Sequence, residues 1–138
     1  MSPVDRRRIS SGSPFEATIG FSRAVRVGDR VLVSGTAPIS ADGSVDPDPF
    51  AQAARCLEII AGALAEAGAG LADVVRTRIF LTDPADAGDV SPAHGAAFAD
   101  VRPAATMVVV SALLDPRWKV EIEAEAMVAP GPPPAPVL

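Results

Sequence analysis

Within the segment K-V-E-I-E-A-E-A-M-V, residues 119–128, apolar and acidic side chains alternate without interruption from Val120 to Ala126. A β-strand places successive side chains on opposite faces, so this alternation predicts a strand with one apolar and one acidic face. The apolar face consists of Val120, Ile122, Ala124 and Ala126, and the acidic face of Glu121, Glu123 and Glu125. The sheet that contains this strand is therefore expected to bury one face and leave the other open.

Three other stretches of the chain predict further strands. Residues 25–33 contain two short runs of valine around Gly28-Asp29, a pattern typical of two strands joined by a tight turn. Residues 74–81 alternate and predict another strand. Residues 104–113 are rich in valine and apolar on both faces, which predicts a strand near the centre of the sheet.

A long helix is predicted after the hairpin. Asp48 can cap its start, Pro49 suits the first helical position, and Gly68 can end it. Apolar residues recur at helical spacing along one stripe: Phe50, Ala54, Leu57, Ala61 and Leu64. The opposite face carries Gln52, Arg55, Glu58, Gly62 and Glu66, with Cys56 on the flank of the stripe. A shorter second helix is predicted over residues 92–100.

The order of these elements favours an α/β domain with a mixed sheet and two helices on one face. The other face of the sheet needs a cover, and in a chain of 138 residues an oligomer is the natural way to supply it. We expect the domain to span residues 17–129. Residues 1–16 are polar and predict an extended N-terminal arm, and residues 130–138 form a proline-rich stretch that predicts a flexible tail.

The composition argues against several classes of function. The chain carries 12 basic and 17 acidic residues, a net charge of −5, so nucleic acid is not expected as a partner. The run Arg6-Arg7-Arg8 is the basic exception, and we interpret it as solvated. One cysteine, Cys56, and one histidine, His94, are too few for a structural zinc site, and no metal is expected. With no signal peptide recognised and no apolar run long enough to cross a bilayer, we expect a cytoplasmic protein without a membrane partner.

Several segments together resemble the Rid family of reactive intermediate deaminases, also called the YjgF family. They follow the family's order and spacing: F-S-R-A-V-R-V-G (residues 21–28), V-L-V-S-G (31–35), the helix with Gln52, F-L-T-D (80–83), R-P-A (102–104) and V-E-I-E-A-E-A (120–126). The resemblance covers residues 19–128.

This resemblance implies a chorismate-mutase-like fold of the α+β type, with a mixed sheet of about six strands and two helices on one face. It also implies a homotrimer with substrate sites in clefts between the subunits. The implied activity is that of a hydrolase, a deaminase that converts reactive enamines or imines to a keto acid and ammonia without a metal or organic cofactor. The expected partners are a small-molecule substrate or ligand and other copies of the chain.

Some functional positions of the family are kept in this sequence. A glutamate on the last strand, which positions water in the family, matches Glu121. The Ser-Gly pair that lines the family's pocket matches Ser34 and Gly35. A tyrosine of the opening motif corresponds to Phe21, which keeps the ring and lacks the hydroxyl.

The largest departure from the family concerns its substrate clamp. There, an arginine in a Pro-Ala-Arg segment binds the substrate carboxylate, whereas this chain has Ala105 at that position and Met107 further along the pocket wall. Loss of such a charge-assisted contact costs about 1.5–3 kcal/mol or more of binding. We therefore do not expect the standard 2-imino-acid deaminase activity. Arg102 is the nearest substitute, although in a regular strand it would point away from the face of residue 105.

The remaining candidates have weaker support. By gapless extension, Ser91 matches a family asparagine and His94 a family tyrosine; His94 is either a proton shuttle or an ordinary residue of an exposed helix. Arg23 and Arg78 are further substitutes for the clamp, or solvated strand residues. Two residues are interpreted as packing residues: Cys56 and Trp118.

Three functions stay open at this point. The first is a cofactor-free hydrolase acting on an imine, an enamine or a related small molecule. The second is a non-catalytic trimeric module that binds a small molecule or a protein. The third is an isomerase or cyclase on the same scaffold, which would release no ammonia. The fold alone does not choose among them.

Overall fold

A computed structural model of the protein describes residues 5–129. Its six strands are β1 (Arg6–Ile9), β2 (Ala24–Val27), β3 (Arg30–Thr36), β4 (Val74–Leu81), β5 (Ala104–Val109) and β6 (Val120–Met127). Its two α-helices are α1 (Pro49–Glu66) and α2 (Ala87–Phe98). Short helical turns lie at Glu16–Gly20, Leu71–Asp73 and Pro84–Asp86. The proline-rich stretch 130–138, for which a flexible tail is expected, lies outside the described residues.

The strands form one mixed sheet in the order β1-β2-β3-β6-β4-β5. All neighbours are antiparallel except β4 and β5, which run parallel. The predicted mixed sheet of about six strands with helices is thereby confirmed. Strand β6 is paired on both sides, and its alternation is as predicted: Val120, Ile122, Ala124 and Ala126 are buried, whereas Glu121, Glu123 and Glu125 are half-buried on the other face.

The hairpin β2–β3 follows its predicted turn. Gly28 has φ = 62°, a conformation that favours glycine, and Val27 pairs with Arg30 across the two-residue loop. Counting outward from this turn places Val31 and Val33 in the core together with Ala24.

Helix α1 begins as predicted and then buries a different stripe. The Asp48 side chain accepts a hydrogen bond from the Ala51 N–H, and Gly68 follows the helix at φ = 80°. Of the predicted apolar stripe, only Leu57 and Leu64 are buried. The helix buries Gln52, Ala53, Cys56, Leu57, Ile60, Ala63 and Leu64.

Gln52 explains this difference. Its side-chain amide donates to the Asp46 and Arg117 carbonyls at 2.8 and 2.9 Å, and its carbonyl accepts from the Lys119 N–H at 2.8 Å. With these three hydrogen bonds the polar groups of the Gln52 amide are satisfied inside the core. Gln52 can therefore be buried, although the sequence pattern predicts it on the solvent-facing side of the helix. The helix thereby ties the loop before α1 to the loop before β6.

Three further predictions are corrected by the structure. Within the stretch 1–16, Arg6–Ile9 pair with β2 as an edge strand, because the buried Ile9 anchors an otherwise polar segment. Helix α2 begins at Ala87, five residues before the predicted start, and its buried Val90 packs on the core although Pro92 interrupts the hydrogen bonding. Strand β5 lies at the edge of the sheet, so its two apolar faces do not reflect a central position.

The two faces of the sheet differ in character. Helices α1 and α2 cover the face that carries the buried positions of β3, β4 and β6, which we call the helix face. The other face, called the open face, exposes Leu32 and Val108 beside charged side chains. There, the Arg78 guanidinium lies 2.8 Å from Glu123 and 3.5 Å from Glu125.

Replacing Gln52 by alanine tests the role of this buried amide. The Gln52→Ala variant loses three buried hydrogen bonds, each worth about 1 kcal/mol, so its free energy of unfolding should fall by about 3 kcal/mol. Urea denaturation at one fixed protein concentration measures this difference. The exposed Glu58→Ala variant on the same helix is the control, and a Gln52→Ala loss no larger than that of Glu58→Ala would contradict the interpretation.

Candidate functional site

Glu121 lies on the open face of β6, and its side chain reaches a bulge in β3 that stands opposite the neighbouring open-face residue Glu123. The register between β3 and β6 shifts between Val33 and Thr36, which leaves Ser34 and Gly35 at the bulge. A Cβ atom at Gly35 would lie 2.9 Å from Oε2 of Glu121. The carboxylate therefore packs directly against the backbone of the bulge, an approach that only glycine permits without displacing the Glu121 side chain.

The bulge is held in place by Arg23. One terminal nitrogen of its guanidinium donates to the Ser34 carbonyl at 2.7 Å and to the Gly35 carbonyl at 2.8 Å. The Ser34 hydroxyl donates to the Ser22 carbonyl at 2.6 Å, which fixes the bulge from the other side. Arg23 is half-buried, so the interpretation of this residue as a solvated strand residue is wrong.

The contact between Arg23 and Ser34 could have been predicted from the register of the hairpin. Since Ala24 pairs with Val33, the next pair outward is Arg23 and Ser34, and the Ser34 N–H donates to the Arg23 carbonyl at 3.0 Å. Counting the cross-strand pairs outward from the turn at Gly28-Asp29 would therefore have placed Arg23 next to Ser34.

Burial and two neighbouring charges determine the pKa of the Glu121 carboxyl group. Burial raises the pKa of the Glu121 carboxyl, the Arg23 charge lowers it, and the nearby Glu123 raises it further. The effect of burial is the largest of the three, so the pKa of Glu121 lies above its ordinary value. A carboxyl group with a raised pKa accepts a proton more readily, which suits a general base or acid.

Phe21 lies on the same side of the sheet, beside a groove of about 680 Å³ that Ser22, Ser34 and Arg8 also line. The Phe21 backbone N–H donates to the Glu16 carbonyl at 3.0 Å and closes the helical turn before it. Phe21 and Ser34 thus line one groove, and Gly35 and Glu121 contact each other beside Ser34. Their role as the lining of a substrate pocket stays a prediction.

Other predicted site residues lie on the helix face. Ala105 pairs with Thr77 and Met107 pairs with Ile79, and both partners are buried under the helices. Nε2 of His94 lies 2.9 Å from Oγ1 of Thr77. Burial lowers the pKa of His94, which favours the neutral imidazole near pH 7.

The last two candidates are held by local backbone contacts. The Ser91 hydroxyl donates to the Ala87 carbonyl at 2.7 Å within α2. Arg102 lies in the loop before β5 at φ = 53°, and its backbone N–H donates to the Phe98 carbonyl at 2.8 Å. Because Arg102 is outside the strand, the expectation that it points opposite to residue 105 does not apply.

The sheet separates these residues from Glu121. Glu121 pairs with Phe80, and Phe80 with Val108, so Glu121 is level with residue 108 of β5. Ala105 lies three residues back on the opposite face of β5, and Arg102 lies in the loop before β5. One chain therefore does not bring Glu121 together with Ala105 or Arg102.

The remaining candidates have structural roles. Burial raises the pKa of the Cys56 thiol to about 12, so the thiol is protonated near neutral pH and is not an activated nucleophile. Trp118 is half-buried beside the turn before β6, and Arg78 belongs to the ion pairs of the open face.

In residues 5–129, no three metal-binding side chains lie close enough together to hold an ion. Over the same range, no helix combines the length and apolarity needed to cross a membrane.

Known proteins similar to this chain share its full domain. Residues 12–128 match the family described as Endoribonuclease L-PSP. A solved structure of a YjgF/YER057c/UK114 family member from Mycobacterium tuberculosis is 48% identical, with a TM-score of 0.83, over 90% of this chain and 100% of that chain. An uncharacterised protein of Streptomyces coelicolor is 41% identical over 87% of this chain and 90% of its own length. The 2-iminobutanoate/2-iminopropanoate deaminase of Salmonella typhimurium is 34% identical over 80% of this chain and 90% of its own length.

A methyl group added at Gly35 tests the contact with Glu121. In the Gly35→Ala variant the new Cβ displaces the end of a flexible side chain, so we expect a loss of stability below about 1 kcal/mol and a changed Glu121 rotamer. A crystal structure of the variant checks the rotamer, and urea denaturation checks the stability. In the control Gly62→Ala, where the Cβ meets open space in α1, stability should rise by about 0.5–1 kcal/mol. An unmoved Glu121 in Gly35→Ala would contradict the close contact.

Proposed function

The chain belongs to the YjgF/Rid family, which is also described as Endoribonuclease L-PSP, and on this premise we propose that it is a cofactor-free hydrolase acting on a reactive imine or enamine. The observation that carries the proposal is the Glu121 carboxylate, half-buried against Gly35 with a raised pKa. The relative from Salmonella typhimurium, named as a deaminase of 2-imino acids, supports the same class of reaction.

The proposed reaction needs few groups because an imine carbon is already electrophilic. The Glu121 carboxylate takes a proton from a water molecule while the water oxygen bonds to the imine carbon. The carboxyl group returns that proton to the nitrogen, which gives a carbinolamine. The carboxylate then takes the hydroxyl proton and passes it to the nitrogen as the carbonyl double bond forms and the carbon–nitrogen bond breaks. The products are a carbonyl compound and ammonia, and Glu121 ends the cycle ionised as it began.

The proposed site lies between subunits of a homotrimer. Two observations support an oligomer: the open face leaves Leu32 and Val108 exposed, and the sheet holds Glu121 and Ala105 on opposite faces. In this arrangement, a cleft that uses Glu121 of one copy and position 105 of another copy is completed only on assembly.

The proposed substrate lacks a carboxylate, or uses it weakly. Ala105 has no charge to offer it, and its neighbour Met107 presents an apolar side chain. A neutral imine or enamine suits such a wall better than a 2-imino acid, because an unpaired carboxylate is costly to desolvate.

The second candidate function is a trimeric module that binds a small molecule or a protein without turning it over. Ala105 and Phe21 favour it, because the family's clamp and phenolic hydroxyl are both lacking at these positions. A ligand that saturates the site with no product would support this function over the hydrolase.

Cleavage of RNA, which the family's description names, has less support here. The arginines Arg30 and Arg78 on the open face are paired with Glu123 and Glu125. The single histidine, His94, lies on the helix face beside Thr77. Neither arrangement is typical of a surface that binds a phosphate backbone.

Removing the charge of Glu121 tests the hydrolase directly. Imines are generated in situ by an amino-acid oxidase or an amine oxidase, and the loss of semicarbazide trapping measures their hydrolysis. We expect Glu121→Gln to lower the rate at least 100-fold, since general base catalysis supplies about 10²–10⁴ of the rate. Glu125→Gln on the same strand face is the control and should keep most of the activity. An unchanged rate in Glu121→Gln, with the oligomer intact by light scattering, removes this residue from the mechanism.

Restoring an arginine at position 105 tests the substrate class. The Ala105→Arg variant regains a charge-assisted contact, so its KM for 2-imino acids should fall about 10- to 100-fold relative to the parent chain. Neutral imines serve as the comparison and should gain nothing. Equal effects on charged and neutral imines would show that position 105 does not contact the substrate carboxylate.

A further inference from the structure

Arg23 has an environment that is unusual for a strand arginine. Its guanidinium is half-buried, and one terminal nitrogen bonds the Ser34 and Gly35 carbonyls. Its Nε is buried and has no hydrogen-bond partner among residues 5–129. Within the same residues, no carboxylate oxygen lies within 4.0 Å of it, so its charge is not neutralised by a direct ion pair.

Two carboxylates lie close enough to act on this charge. Glu16 and Glu121 both raise the pKa of Arg23, against the lowering that burial causes. Glu16 accepts a hydrogen bond from the Ser11 N–H, whereas Glu121 packs against the glycine whose carbonyl Arg23 bonds. Arg23 thus connects to Glu121 in two ways, through the backbone of the bulge and through its charge.

We propose that Arg23 is a positioning residue for the proposed hydrolase: it fixes the Ser34–Gly35 bulge against which the Glu121 carboxylate rests, and its positive charge favours the ionised form of that carboxylate. The inference rests on the proposed function for the role of Glu121 as a base. It assigns the positive charge of the site to the residue that precedes β2 rather than to the family's clamp position on β5.

The other groups around Glu121 do not supply this charge. Gly35 on β3 and Phe80 on β4 have no titratable group, and the Cys56 thiol of α1 is neutral with a pKa of about 12. Glu123 on β6 opposes ionisation because it carries the same charge. Among the described residues, the charge of Arg23 is the one that favours the ionised form of Glu121.

The test compares three variants of the full chain. Arg23→Met removes the charge and both hydrogen bonds, and Arg23→Lys keeps the charge. Arg26→Met is the matched control, because Arg26 is also a half-buried arginine, lies three residues further along in β2, and bonds two backbone carbonyls, those of Gly28 and Ala67, on the helix face. Urea denaturation shows that each variant is folded under the conditions of the assay.

Two readouts are followed in each variant. The first is the titration of the Glu121 carboxyl carbon by NMR without substrate, assigned with Glu121→Gln. The second is the pH dependence of kcat/KM for imine hydrolysis. In Arg23→Met we expect both midpoints to move to higher pH by about one unit, because an opposite charge beside a carboxyl group favours its ionised form.

Arg23→Lys should keep both midpoints within about a third of that shift, and Arg26→Met should move neither while losing stability. A Glu121 titration in Arg23→Met that coincides with the parent chain overturns the proposal. The proposal also fails if Arg26→Met moves the midpoint equally, because the effect would then be structural. Since the NMR titration needs no turnover, a chain that hydrolyses no imine refutes the proposed function and leaves this test of Arg23 intact.

Discussion

A β-strand presents successive side chains to opposite faces, and the central strand β6 imposes this constraint on the whole sheet. Because β6 is paired on both sides, its alternation of apolar and acidic residues sets which face of β3 and β4 meets the helices. A shift of one residue would turn Glu121, Glu123 and Glu125 into the core and expose Ile122. The helix face and the open face are therefore fixed by one strand, and the candidate residues that lie in strands are assigned to a face through the register of the sheet.

The position of Glu121 on this strand is unfavourable for stability. Burial raises its pKa, so the folded chain binds the proton more tightly than the unfolded chain. Stability then falls as the pH rises through this pKa, and the cost is fully present above it. The bulge of β3 is what allows the arrangement, since Gly35 admits the carboxylate and Arg23 holds the bulge carbonyls. A fold optimised for stability alone would not place a carboxylate here, which favours a functional reason for it.

Much of the fold can be predicted from local chemistry, and the failures have physical causes. The turn at Gly28-Asp29, the cap at Asp48 and the alternation of β6 depend on neighbours in sequence, and their predictions are correct. The prediction for the buried stripe of α1 is wrong, because Gln52 forms hydrogen bonds with Arg117 and Lys119. These residues are 65 and 67 positions further along the chain, so the helical periodicity contains no sign of the contact. The edge position of β5 depends on the strand order, which residue periodicity does not encode.

The candidate site shows the same division. The resemblance predicts Phe21, Ser34, Gly35 and Glu121 as site residues. In the structure Phe21 and Ser34 line one groove and Glu121 contacts Gly35, while their functional role stays a prediction. The role of Arg23 is missed by sequence reasoning, because an arginine in such a position is ordinarily solvated. Here its guanidinium donates to the carbonyls of Ser34 and Gly35 at the bulge.

The sidedness of the sheet also explains how the chain can differ from its family at position 105 and keep the surroundings of Glu121. Ala105 lies on the helix face, and no contact of the Glu121 carboxylate in its own chain depends on the side chain at that position. In the proposed trimer, a change at 105 alters what the cleft binds and leaves the base, its glycine and its arginine in place. Substrate choice and proton transfer are thereby assigned to opposite faces of one sheet. A passive binding module would need only substrate choice. A half-buried carboxylate beside a bulge that a half-buried arginine holds therefore favours the proposed hydrolase over that alternative.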